Sequence, residues 1–552
     1  MRSVGRTFIL LFILISSSAV TSLGFRGARA ANGNPVHNIN TGIDYPTIQA
    51  AIDAQETLNG NTINIDPGTY VENVEVNKSI SLVGADRNST IVDGNKNVAA
   101  AIRVTANGVI IRNLTVRNAT TGILVDQAND TLIVENNAVE NIDLGEGYRE
   151  VEHGIQIRYS GNCTVEDNVV QDNANSGVLF TNSRNFTADR NFIYNNELGY
   201  GLNANDSSFG TIRDNDVLSS NFDGIGLGTG STNCLVTGNT VRNNSIFGIW
   251  VDTGSVNNLV YHNNFFFNKS HAVLSPGIVV QWNNGLEGNY WTDYRGSDLN
   301  NDGVGDTPVF IDSNNSDVYP LMGPFSTFIP YKLYSVNVIS NSTITDLAFF
   351  KANSTLRMHV SNVTPAQTGG FSRVQVPHVL MLQLNNVTID GGEPTYTNFS
   401  VFDDGASRWL YFSYGQPLGE VIIQGTASPD VDAPIITILS PENRLYQTDS
   451  VGLNFTVDEE TPWIGYSLDG QANVTIQRNS TLSGLSSTLH NITVYANDSV
   501  GNMGSSPTVV FTIGSQQLPI WIILGVIIIV AAVVIIGVAV YLRRRRTDPT
   551  SS

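Results

Sequence analysis

Seven times between residues 113 and 263 a short apolar strand runs into an asparagine, with a second Asn about five residues on. The markers are Asn113, Asn136, Asn168, Asn191, Asn215, Asn239 and Asn263, at successive intervals of 23, 32, 23, 24, 24 and 24. A unit this short cannot bury a core of its own, so neighbouring units must stack, and the period fixes a solenoid. A parallel column runs through Asn118, Asn141, Asn173, Asn196, Asn244 and Asn268, with Ser220 filling the slot where Asn is displaced to Asn221. Asn tolerates left-handed backbone, and its amide can bond the units above and below, so both columns read as asparagine ladders at turns.

Within each unit a glycine precedes a strand: Gly122, Gly154, Gly177, Gly201, Gly224 and Gly248. Alternation then points Ile123/Val125, Ile155/Ile157, Val178/Phe180, Leu202/Ala204, Ile225/Leu227 and Ile249/Val251 inward. The residues between them form an outward face carrying Leu124, Asp126, Gln156, Arg158, Leu179, Thr181, Asn203, Asn205, Trp250 and Asp252. The interval of 32 contains an insertion, LGEGYREVE, at residues 144–152, which emerges on one side of the coil, either as a wall to that face or as a tolerated surface loop. Upstream, DYPTIQAAIDAQET (residues 44–57) sets Ile48, Ala51 and Ile52 on one helical face, which suits a short cap on the first coil.

The segment GTYVENVEVNKSISLVGADRNSTIVDG (residues 68–94), the repeats, and the closing GNYWTDYRGSDLNNDGVGDTPVFID (residues 288–312) resemble right-handed parallel β-helix proteins of the NosD and pectate-lyase-like group. That group of carbohydrate-binding and sugar-hydrolysis domains implies a β-helix over residues 31–325 and a sugar-related role. NosD proteins are also associated with maturation of a copper enzyme. The residues themselves offer copper little: seven dispersed histidines, with Met358 and His359 alone adjacent.

The ends and the remaining domains complete an all-β plan. Residues 1–30 have a basic start, an apolar run and an Ala-Arg-Ala exit, the pattern of a secretory signal. Residues 334–426 and 435–513 alternate like two β-sandwich modules, the second immunoglobulin-like, arranged as a stalk and separated by ASPDVDAP. Residues 518–542 form an apolar run long enough for one transmembrane helix, and Arg543–Arg546 place a short tail, 543–552, in the cytoplasm. The expected location is therefore the cell membrane, single-pass, with an extracellular N-terminal ectodomain. Sequons beyond residue 330, such as Asn341, Asn353, Asn362 and Asn386, are not by-products of the ladders and suggest a glycoprotein. A net charge of −20 argues against nucleic acid as a partner. The two cysteines, Cys163 and Cys234, share a register three units apart, about 14 Å, too far for a disulfide.

Two places could carry chemistry. Asp126, His153, Arg158 and Tyr159, with Glu150 and Glu152 in the insertion, form the best acid–base cluster, although a plain ion pair between neighbouring coils also accounts for Asp126 and Arg158. Gln156, Arg158, Asn203, Asn205, Trp250 and Asp252, with Glu150 and Glu152, are the ligand-binding candidates, Trp250 serving to stack on a sugar ring. Asp298, Asn300, Asp302, Val304 and Asp306, with Gly303 at position six, match a calcium loop, but Val309 stands where the bidentate Glu belongs. The reading is a surface protein that binds carbohydrate or another envelope polymer without turning it over. A polysaccharide lyase or glycoside hydrolase on the same face, a structural envelope component, and a NosD-like maturation factor are the alternatives.

Overall fold

The computed structural model describes residues 33–95, 99–139, 153–415 and 419–514. The expected signal (1–30), the insertion with Glu150 and Glu152, the apolar run at 518–542 and the tail lie outside them. No helix among the described residues is long and apolar enough to cross a membrane. The α-helix they contain, Ile48–Asp53, has six residues, about 9 Å against a hydrocarbon thickness of roughly 30 Å. The expectation of a single-pass membrane protein is corrected accordingly.

The described N-terminal half is a right-handed parallel β-helix of about nine turns. Each coil gives one strand to each of three sheets, of 11, 10 and 9 strands. The first sheet opens with Val36–Asn38 antiparallel to both Ile43–Tyr45 and Thr62–Ile65, and from Thr62–Ile65 onward the stack is parallel. In the first sheet the middle residue of each three-residue strand points inward, so Ile133, Val165, Ala188, Ile212, Val236 and Val260 make one buried column. In the third sheet the twelve residues expected to point inward, from Ile123 to Val251, are all fully buried.

The corners are held by ladders. Asn136, Asn168, Asn191, Asn215, Asn239, Asn263 and Asn289 pass an amide hydrogen bond from coil to coil at 2.8–3.2 Å. Each Oδ1 also accepts the backbone N–H of the asparagine before it in the column, as Asn239 does from Asn215 at 3.0 Å. Each Nδ2 reaches a strand carbonyl of the preceding coil, as Asn215 does to Ala188 at 2.9 Å. The amide thus satisfies backbone groups that water cannot reach. Asn113 is not in this column: the N–H of Leu114 donates to Asn136, and Asn113 occupies the left-handed position before the ladder residue, at φ 58°. Glu135, Asp167, Arg190 and Asp214 take the same left-handed position in later coils. Asn118 is displaced in the same way, at φ 55°; the second ladder joins Asn173 to Asn196 and Ser220 through Asn244 to Asn268, with a break between Asn196 and Ser220, whose Nδ2 and Oγ have no partner among the described residues. A third ladder, unforeseen, runs through Ser183, Ser207, Ser231 and Ser255. Cys163 and Cys234 are free and buried in the wall.

At one end of the coil lies a short helix. Thr47 caps helix Ile48–Asp53 by accepting from Ala50, and Glu72 takes the N–H groups of Ile48 and Gln49. Ile48, Ala51 and Ile52 join the coil core. At the other end Trp291 stacks on Phe265 at 4.7 Å, beside buried Trp282. Asp317 ends the ladder by accepting from Asn289 N–H and Trp291 Nε1.

Two antiparallel two-sheet units follow. In the first, a five-stranded sheet (Phe325–Tyr331, Tyr334–Ser340, Gly370–Pro377, Ser407–Tyr414, Tyr396–Asp403) faces a four-stranded one. In the second, strands between Ile436 and Ile513 enclose a separate core. The two units are not a stalk: Leu445 N–H bonds Ile39 of the first coil at 3.0 Å, and Asn40 bonds Asn443. The first unit meanwhile grips the last coils, where Asn264 exchanges two hydrogen bonds with Phe325. The chain therefore folds back along the coil.

Asn215→Ala should cost about 3 kcal/mol or more, because it strands buried donors and acceptors on two neighbouring coils. Asn221→Ala, whose side chain is exposed, should cost less than about 0.5 kcal/mol. Chemical denaturation of both variants checks the difference.

Candidate functional site

The expected acid–base cluster comes apart. Asp126 lies directly opposite Arg158 in register and accepts from its Nε and Nη2, both at 2.9 Å. Arg103, on the preceding coil, reaches the same carboxylate at 2.7 Å and approaches Glu75 at 3.6 Å. Hydrogen bonds from Arg158 foremost, then from Arg103, outweigh burial and hold Asp126 at about 2. With 6% exposure it is an ion-pair link clamped between two arginines. His153 begins the strand that Arg158 ends, about 16 Å away. Burial pushes its imidazole down to about 4, and Nδ1 has no partner among the described residues. Tyr159 turns outward at a left-handed corner, 58% exposed. The ion-pair reading of Asp126 and Arg158 is the one the geometry carries.

Further along the same face the side chains thin out. One outward column runs Gln156, Leu179, Asn203, Gly226, Trp250 in register. The column beside it runs Arg158, Thr181, Asn205 and on to Asp252. Two glycines, Gly226 and Gly228, leave bare backbone, and residues from the previous coil lean over it. A Cβ on Gly226 would stand 2.6 Å from Asn203 Oδ1 and 2.7 Å from the Tyr200 ring; one on Gly228 would stand 2.6 Å from Asn205 Oδ1. Tyr200 spans the gap and stacks on Trp250, centroids 6.0 Å apart and planes within 8°, with its edge toward Phe222 at 5.5 Å.

Beneath this aromatic pair lie acceptors without donors. Asn203 Oδ1 is buried and unpaired, as is Asp223 Oδ2; Asp223 Oδ1 takes only the Phe247 N–H, at 2.9 Å. Such a group costs about 1–3 kcal/mol. Burial pushes Asp223 up to about 6. Asp252 goes the other way: burial raises it, but donors from Ser275, Thr253 and Thr229 at 2.7–2.9 Å outweigh that and hold it below the usual range. Both carboxylates act on the Tyr200 hydroxyl, whose pKa is raised by burial first and by their charge second. Of the expected binding residues, Asn203, Asn205, Trp250 and Asp252 come together here. Gln156 and Arg158 lie two to four coils away at the ion-pair end. Tyr200 and Asp223 were not expected; the available signal was the pair of outward glycines flanked by an aromatic and an acid just before Gly201 and Gly224.

The loop at residues 298–306 is closed by its own carboxylates. Asp298 accepts from Asp302 and Gly303 N–H, Asp302 from Val304, and Asp306 from Leu299, while Asn300 bonds Asp302. Burial, then the charges of Asp302 and Asp306, raises Asp298 despite those donors. These hard oxygen donors suit calcium in kind. The carboxylates that do converge within 4.8 Å among the described residues are Asp430, Glu459 and Asp498, and there Lys351 and Lys332 already supply cationic partners at 2.6 and 2.9 Å. Copper finds no fitting donor set. His37, His262, His271, His359, His378 and His490 each face a carboxylate, and no cluster combining His and Cys occurs among the described residues.

The family model that matches describes the periplasmic copper-binding protein NosD, over residues 105–296. The coil is NosD-like. A cell surface glycoprotein of Methanothermus fervidus is 32% identical over 136 residues, which cover 25% of this chain and 21% of that protein. Halomucin of Haloquadratum walsbyi is 38% identical over 151 residues, 24% of this chain and 2% of its own length. The chain thus spans a small part of either relative. Among solved structures, the A-module of mannuronan C-5 epimerase AlgE6 from Azotobacter vinelandii aligns over 47% of this chain and 90% of its own, at 16% identity and a TM-score of 0.28.

Two pH effects of opposite sign follow. Asp126 stabilises the fold above an ordinary Asp pKa, and that contribution should be lost as pH falls toward about 2. Asp223 disfavours the fold once ionised, so the stability of the natural chain should decline as pH rises from about 4 through about 6. Asp223→Asn should match it below that window and exceed it above. Urea denaturation from about pH 2 to about pH 8 checks both.

Proposed function

We propose that the chain is a surface protein whose coil binds carbohydrate or another envelope polymer on the outward face of the third sheet, without turning it over. The observation that carries this reading is the stacked Tyr200–Trp250 pair beside the side-chain-free strand of Gly226 and Gly228. Aromatic rings offer a sugar its stacking surface, and a strand without side chains lets a ring approach the sheet. The relative named as a cell surface glycoprotein supports an extracellular setting. Arg158, committed to Asp126, helps to hold the face rather than to touch the ligand. A glycan array probed with the chain should retain ligands, and Trp250→Ala should weaken binding tenfold or more, about 1.4 kcal/mol. Equal retention by wild type and Trp250→Ala would move the site elsewhere.

An enzymatic reading has one observation in its favour: Asp223 and Asp252 flank Tyr200 with pKa values displaced in opposite directions, as an acid–base pair requires. Against it, Asp223 is fully buried and Asp252 has donors on both oxygens. Release of reducing ends from an array ligand would favour turnover; intact ligand favours binding.

We also propose calcium for the 298–306 loop, as a structural ion at the coil's end. Arg373 of the first two-sheet unit bonds the Asp302 carbonyl, so the ion would tighten that junction. Calcium added after chelation should raise the melting temperature by roughly 2–4 °C, and Asp298→Asn should abolish the rise. No shift in the natural chain would refute it.

A further inference from the structure

The charge around the Tyr200–Trp250 notch narrows the class of glycan. An anionic sugar, a uronate or a sulfate ester, needs a cation to meet its charge, because an uncompensated charge pair beside a low-dielectric wall is repulsive. On the outward face Arg103 and Arg158 are the described guanidinium groups, and both spend their donors on Asp126 and Glu75. From Arg158 toward the end of the coil the two outward columns hold Leu179, Asn203, Gly226, Trp250 and Val273, then Thr181, Asn205, Gly228, Asp252 and Ser275. Neither column contains a cation. Lys269 sits one coil beyond Trp250 but four strand positions aside, about 13 Å along the sheet. His271 has its imidazole lowered by burial and faces Asp293, so it brings no charge near neutral pH. The charges at the notch are those of Asp252 and, above about pH 6, Asp223.

Asn203 Oδ1 lies buried against the backbone of Gly226 and Asp223 is fully buried, so neither offers a ligand a hydrogen bond, and selection falls to charge and to stacking. Tyr200 and Trp250, stacked at 6.0 Å, give the flat apolar surface against which the axial hydrogens of a pyranose pack.

We propose that this notch selects a neutral, hydroxyl-rich glycan, a hexose polymer without carboxylate or sulfate groups, and rejects polyuronates. The proposal rests on the carbohydrate reading given above and is narrower than it. The test measures affinity of the full chain for two sets of probes of matched length, gluco- and manno-oligosaccharides and oligouronates, by calorimetry at pH 7 in low salt, where repulsion is least screened. Neutral oligomers should bind at least tenfold tighter than oligouronates. Trp250→Ala should lose the neutral ligands, and Trp250→Phe should keep part of the affinity, which separates loss of stacking from loss of fold. Asp252→Arg should raise affinity for oligouronates. Oligouronates binding as tightly as or tighter than neutral oligomers would overturn the selectivity while leaving carbohydrate binding intact. Retention of neither set would overturn both.

Discussion

The coil stands or falls on the amide of a buried asparagine. At each ladder corner the backbone turns inside the protein, where its N–H and C=O groups cannot find water, and one side chain per coil satisfies them above and below. Asn215 shows the full pattern: it accepts from the backbone and side chain of Asn191 and donates to Ala188, Arg213 and Asn239. Such a residue tolerates no shift in register, because a slip of one position would take every amide out of its column. That rigidity fixes the coil period, confines insertions to the corners and frees the outward face from any structural duty beyond ordinary β-pairing.

The inward half of this architecture was legible because it repeats. Strict alternation after each marker glycine identified the twelve core residues of the third sheet, from Ile123 to Val251, and all are buried. The ladders were legible too, with an error of one residue at Asn113 and Asn118. Asn is favoured in the left-handed position as well as in the ladder position next to it, so identity alone does not separate the two slots. The serine ladder escaped because serine is an unremarked surface residue in a single sequence, and only stacking gives its hydroxyl a regular partner.

The candidate site was half legible. Trp250, Asn203 and Asp252 stood out as chemistry on an outward face. Tyr200 and Asp223 did not, since each lies one residue before a marker glycine and gains its role from a contact 24 or 50 residues away in the chain. Arg158 failed as a catalytic candidate for a countable reason: Asp126 has a second arginine, Arg103, on its other side. The stalk failed for a similar one, because Leu445 and Asn443 return to the first coil while Arg373 and Glu287 pair at the last. Long-range pairings of this kind have no periodic trace.

The account places function where the repeat loses its outward side chains, on a scaffold that holds Trp250 in one orientation. A crystal structure of the chain with a bound oligosaccharide tests that placement most directly. A sugar ring packed against the Trp250 indole, over the bare backbone of Gly226, is the expected result. A sugar lodged on the first or second sheet, or on either two-sheet unit, with the Tyr200–Trp250 stack undisturbed, would contradict it.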